Sequence, residues 1–275
     1  MKYTVESGKY LLKNFIYIFP FAIFSALFFS FSTDERAIIN VLNAFFSGEL
    51  SAWTFADLFC AISVLNFGSW RSIVFGIVGI IVTFPCVAMM MALLEKHLRI
   101  GKRTFNGIGE KINDNLLSTC GYVVMLLIIY ELWSLLAAAI LYFVSMISIP
   151  AVAYVAIAVF YLLLHLLLLW AISTIYLWLP CMQITGFRAF EALQYSYQLF
   201  MPEKWRTIFG QLIVLFVAET LICLCVIFVP NPIVFVLLTT LLYALIIMIY
   251  CVRMQIAYFD LDNIERADLN RYYND

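Results

Sequence analysis

Long apolar runs, separated by short polar stretches, dominate the chain. Six of them reach the ~20 residues needed to cross a bilayer: 14–31, 72–94, 118–146, 151–179, 207–229 and 232–258. None shows the period-two alternation of a barrel strand. A backbone surrounded by hydrocarbon must satisfy its own hydrogen bonds, so continuous runs of this kind predict helices. Uncharged turns at Ile149-Pro150 and Pro230-Asn231-Pro232 join spans three to four and five to six as hairpins. The expected fold is all-α: a polytopic transmembrane bundle of six spans in a single integral-membrane domain, 1–275, with interfacial helices on both faces.

The segment 33–70 is the ambiguous one. Phe55, Leu58, Phe59, Ile62 and Leu65 share a helical face, and Asp57 and Ser63 lie off it. Two short helices are expected, 37–46 and 53–66, broken at Ser47-Gly48. They would lie on the outer interface or dip into it as a re-entrant hairpin, either as a lid or as a plain surface element. Reading 52–68 as a seventh span would reverse the rest of the chain and place the basic stretch 96–111 outside.

Charge settles that choice. Lys2, Lys9 and Lys13, then Lys96, Arg99, Lys102, Arg103 and Lys111, then Arg188, Lys204 and Arg206, and finally Arg253, Arg266 and Arg271 fall on one side. Only Arg36 and Arg71 fall on the other. The excess marks the cytoplasmic face and puts both termini inside. The segments 95–117 and 181–206 are then cytoplasmic and interfacial, and 259–275 is a cytoplasmic tail. The first run is longer than a signal-peptide core and is expected to stay as a span.

Composition agrees. Hydrophobic residues make up 65% and charged residues 12%, with a mean hydropathy of +1.00. A soluble globule of this length could not hide so much apolar surface. The lipid bilayer is therefore the expected partner. A net charge of −1 gives no basic field for nucleic acid. The seven cysteines are odd in number and lie mostly within apolar runs, which argues against a disulfide framework. Cys223-x-Cys225 lacks the second ligand pair of a zinc site. No metal or cofactor is expected.

Two stretches echo each other. Phe84-Pro85-Cys86 and Leu179-Pro180-Cys181 each close a span and lead through a polar stretch into the next. A parallel repeat and chance similarity of apolar segments both explain this. Each proline is expected to end or kink its helix.

The second polar stretch is an amphipathic interfacial helix. Arg188, Glu191, Tyr195 and Gln198 form a polar stripe, and Phe187, Phe190, Leu193, Tyr197 and Phe200 supply the membrane side. Trp205 and Arg206 would anchor the next span at the headgroups. The pattern of Leu179-Pro180, then Glu191-Ala192-Leu193 with Ser196 and Leu199, then Lys204-Trp205-Arg206 and Gly210, resembles a signature of bacterial six-span proteins. These include the integral-membrane domain that accompanies some glycerophosphodiester phosphodiesterases. The resemblance rests mainly on 179–210. It implies a bacterial plasma-membrane protein and carries no catalytic site.

Three ionisable residues fall well inside spans: Glu131, His165 and Glu219. A charge at that depth costs ~3 kcal/mol or more, so such residues are expected to face the bundle and find partners. They form either a proton or cation coupling site or a set of interhelical hydrogen bonds. The basic residues Lys96, Arg99, Lys102, Arg103, Arg188 and Arg206, with Trp205, are candidate contacts for anionic lipid headgroups or a membrane-protein partner, a second copy included. Their role in orientation alone is equally served.

No His-Glu-x-x-His or Gly-x-Ser-x-Gly pattern occurs, and Gly107-x-Gly109 follows no strand. An enzyme is not expected. The leading expectation is a non-enzymatic accessory or envelope-related protein. The alternative is a small-solute transporter coupled through Glu131, His165 and Glu219.

Overall fold

The computed structural model describes residues 2–33, 35–47, 49, 53–147 and 149–272. The helices are α1 Lys2–Ser32, α2 Glu35–Ser47, α3 Phe55–Ile62, α4 Trp70–Ile100, α5 Ile108–Ser145, α6 Pro150–Thr174, α7 Trp178–Thr185, α8 Ala189–Phe200, α9 Lys204–Phe228, α10 Pro232–Leu261 and α11 Ala267–Tyr272. Six helical stretches are long and apolar enough to span a membrane. The all-α six-span bundle expected from the apolar pattern is the one observed.

The inner core joins α1, α4 and α10. Ile18, Ala22 and Ala26 of α1 meet Met90, Met91, Leu93 and Leu94 of α4 and Ala244, Met248 and Val252 of α10. Small residues let these helices approach closely, since lipid gives helices little hydrophobic reason to associate. A Cβ at Gly79 would stand 3.0 Å from Phe28 Cβ, and one at Gly76 would stand 2.7 Å from Ser32 Oγ. Ser30 Oγ and Thr239 Oγ1 add a 2.5 Å hydrogen bond between α1 and α10.

Helix α1 breaks its regular path at Asn14, where φ is −119° and ψ is 15°. The Asn14 amide donates to Tyr10 O at 3.0 Å and accepts from Arg103 Nε at 2.8 Å. A side chain that bonds its own backbone in this way competes with the helix ladder.

Both termini lie at one end of the bundle. Lys2 pairs with Asp260 at 2.8 Å. Arg266, just before α11, pairs with Glu6 of α1 at 3.0 Å and with the buried Asp268 at 3.0 Å. Burial works against the Arg266 charge, but these two carboxylates outweigh it and raise its pKa above the ordinary value. Gly101, at φ +69°, closes α4 under α11; a Cβ there would lie 3.0 Å from Ala267 O.

Several boundaries differ from the expected ones, the first span among them: α1 begins at Lys2, not at 14. The fourth span ends at Thr174, not at 179, and α7 starts anew at Trp178. Pro180 cannot donate to the Tyr176 carbonyl, so the helix stops upstream and restarts with proline in its first turn. Pro85, by contrast, sits inside an unbroken α4. The two Pro-Cys stretches thus adopt different local structures. Another difference is at 95–117. Helix α4 runs on to Ile100 and α5 begins at Ile108, so only a short connection separates them.

The outer segment forms α2 and α3 close to the expected positions; Gly48, at the expected break, lies outside the described residues. Leu58 and Ala61 of α3 pack with Val41, Ala44 and Phe45 of α2 and with Ala138, Val144 and Ala153. Tyr130 of α5 donates to Ile62 O at 3.0 Å. From Tyr130 to Val144 is ~21 Å of helix at 1.5 Å per residue. The segment therefore lies along the flank of α5 instead of resting on its tip. Thr54 and Asp57 cap α3 reciprocally. The hydrogen bonds from Thr54 hold the Asp57 carboxyl below its ordinary pKa.

Candidate functional site

Two of the three mid-span ionisable residues meet. His165 on α6 and Glu219 on α9 face each other, with Nε2 and Oε1 2.9 Å apart. His165 Nδ1 lies 2.7 Å from the Tyr161 carbonyl, one turn earlier. A carbonyl only accepts, so Nδ1 carries a hydrogen. The His165–Glu219 contact then holds one further proton, placed either as imidazolium with carboxylate or as imidazole with carboxylic acid. In both forms the pair is neutral overall, which suits its depth. Tyr161 OH donates to the second carboxyl oxygen of Glu219.

Aromatic rings enclose one side of the pair. Trp133 of α5 stands edge-on to His165 with centroids 5.7 Å apart, and Phe216 lies at 5.9 Å on another side. Trp133 Nε1 donates to Leu164 O at 2.8 Å, which ties α5 to α6. The other side is open. The His165 side chain is 6% exposed, whereas that of Glu219 is 34% exposed. Tyr161 is 44% exposed. The network therefore sits on the flank of the α6–α9 pair, with Glu219 and Tyr161 partly exposed there.

Glu131 does not join it. Its Oε2 accepts from Ser134 Oγ, at 3.2 Å within α5, and its Oε1 is buried without a hydrogen-bond partner. The expected coupling trio is a pair plus a separate carboxyl. Tyr161, which sequence reasoning left out, completes the pair. Its signal was present as an i, i+4 spacing to His165.

The basic candidates are mostly engaged within the fold. Arg99 and Lys111 pair with the buried Glu95 at 3.2 and 2.7 Å. Lys96 bonds Asn106 O, and Arg103 bonds Lys13 O at 2.9 Å as well as Asn14. Lys102 is exposed. Arg188 precedes the first turn of α8. Arg206 pairs with Glu203 at 3.0 Å, and Trp205 is 61% exposed beside it.

Helix α8 buries Ala192, Ser196 and Phe200 at i, i+4, i+8 and leaves Phe190 outward, like Phe187 just before it. Tyr195 donates to Asp262 at 2.6 Å and Trp178 to Ala189 O at 2.7 Å, which fixes the helix across the end of α10. At the opposite end, Ala37, Trp53, Asp57, Cys60, Ala61, Asn66 and Gly68 line an open recess of about 380 Å³. Among the described residues no group of His, Cys, Asp and Glu has the arrangement to hold a metal ion, and the seven cysteines are free thiols. Compared with protein-family profiles, with curated proteins and with solved structures, the chain matches none of them.

Proposed function

We propose that this chain is a non-enzymatic accessory protein of the bacterial plasma membrane, with an envelope-related or assembly role. It works by engaging a span of another membrane protein through the α6–α9 flank. The observation that carries this reading is the outward face of the His165–Glu219–Tyr161 network. Polar groups left partly exposed at mid-membrane depth, here the Glu219 carboxyl and the Tyr161 phenol, are costly against lipid tails. They are satisfied by a neighbouring helix that brings a hydrogen-bond donor. Interhelical hydrogen bonds of this kind contribute ~0.6–1.7 kcal/mol each, enough to set orientation and partner choice. The resemblance in 179–210 and the basic bias of the terminal end support the placement in the bacterial membrane with both termini in the cytoplasm.

Photo-crosslinking in the native membrane tests it. A benzoylphenylalanine at Leu162 or Thr220, exposed beside the network, should give one discrete heavier band. The same group at Leu237, exposed on α10, should not. Equal crosslinking at all three positions, or a band of twice the chain mass, would count against a distinct partner.

A second reading rests on one specific observation: His165 Nε2 and Glu219 Oε1 lie 2.9 Å apart between two spans. A small-solute transporter could use that pair for coupling. It would need a polar path to the pair, whereas the recess lined by Asp57 and Asn66 opens at the outer segment.

A further inference from the structure

Arg253 is buried, at 3% exposure, eight residues before the end of α10. Its Nη2 donates to Thr207 O at 2.8 Å, while its Nε has no partner in the chain. Among the described residues it forms no ion pair, and the titratable groups that act on it are the phenols of Tyr176 and Tyr250. A buried charge left in this way is strongly destabilising.

Polar groups from three other segments converge on the same place. Gly210 of α9 has Arg253 Nη2 and Thr4 Oγ1 at 3.0 and 3.1 Å from where its Cβ would be. Tyr176, in the link between α6 and α7, lies beside both Arg253 and Gln211. Thr4 Oγ1 and Thr207 Oγ1 are buried without a hydrogen-bond partner in the chain, like Arg253 Nε, and the Tyr176 hydroxyl and the Gln211 amide face each other beside them. The hydroxyls, the Gln211 amide and the guanidinium all have hydrogens to give.

We propose that Arg253, Thr4, Thr207, Gln211 and Tyr176 form a binding site for a small monovalent inorganic anion of chloride size. A water molecule would satisfy single atoms but would not balance the Arg253 charge. Tyr176 is fully buried, Thr207 is 2% exposed and Gln211 8% exposed, so most of the site lies away from the lipid-facing surface and suits a small ion better than a lipid headgroup. Gly210 belongs to the site because any side chain there would occupy the space beside Nη2. The anion holds α1, α9 and α10 together at the end of the bundle that carries the termini. This proposal is independent of the α6–α9 partner.

The test is the thermal stability of the purified protein in detergent, titrated with sodium chloride at constant ionic strength against sodium gluconate. A saturable rise of several degrees in Tm is expected. The halide affinity should fall about tenfold in Gln211→Leu and in Gly210→Ala, and the effect should vanish in Arg253→Met. Because Arg253→Met can fail to fold, crystals of the unaltered protein grown in bromide supply the second measurement. An anomalous peak within ~3.5 Å of Arg253 Nε is expected, near ordinary hydrogen-bond reach for a large anion. A Tm indifferent to chloride, an equal response in the variants, an ordered water in place of bromide, or stabilisation by phosphate or phosphatidylglycerol micelles but not by halide would each overturn it.

Discussion

Replacing Glu219 by glutamine and by leucine separates a hydrogen-bonding role from a proton-carrying one. Glutamine fits the site as it stands. Its amide nitrogen can donate to His165 Nε2, and its carbonyl oxygen can accept from Tyr161 OH, while His165 keeps the hydrogen on Nδ1 that faces the Tyr161 carbonyl 2.7 Å away. Both interhelical bonds survive, so the cost should stay within ~0.5 kcal/mol. Leucine keeps the volume and removes both bonds. At ~0.6–1.7 kcal/mol for each bond between spans, offset by a more apolar surface, the loss should be ~1–2 kcal/mol. Reversible unfolding in mixed micelles, followed by far-UV circular dichroism, reads the difference. If glutamine destabilises as much as leucine, then the carboxyl proton or charge is itself required and the hydrogen-bond reasoning fails.

Other outcomes follow from the packing. Gly79→Val should cost ~1–3 kcal/mol in the same assay, because its Cβ meets Phe28 Cβ at 3.0 Å between two rigid helices. Gly101→Ala should release α11, since it strains a left-handed position and presses on Ala267 O; faster proteolysis near residue 266 would show it. Asp57 has a folded pKa below its ordinary value. Its capping contribution should thus be complete above the ordinary carboxylate range, and lost as pH falls through the lowered value. Amide exchange in α3 should quicken only below about pH 4, and Asp57→Ala should quicken it at every pH.

Much of this architecture is legible in the sequence because the solvent is hydrocarbon. Continuous apolar length fixes a span whatever its neighbours are, so all six were found, and Asn231-Pro232 marks the start of α10 by an ordinary cap. Local proline chemistry is less legible. Pro85 and Pro180 share a motif but not a structure: Pro85 sits exposed in the middle of α4, whereas Pro180 is buried in the first turn of α7. The site was half legible. Depth alone singled out Glu131, His165 and Glu219, but which faces meet depends on helix rotation, and apolar runs on both faces carry no phase. Tyr161 was hidden for the same reason. Arg253 was read as an interfacial positive charge, because burial by α1 and α9 is a tertiary fact.

Proton flux tests the central claim most directly. The protein is reconstituted into liposomes that carry a trapped pH dye, and an imposed pH gradient or membrane potential is followed with candidate solutes present. With His165, Glu219 and Tyr161 acting as a docking network, flux should equal that of protein-free vesicles, and Glu219→Gln should change nothing. Solute-dependent proton flux in the unaltered protein, abolished by Glu219→Gln, would contradict the claim and make the pair a coupling site.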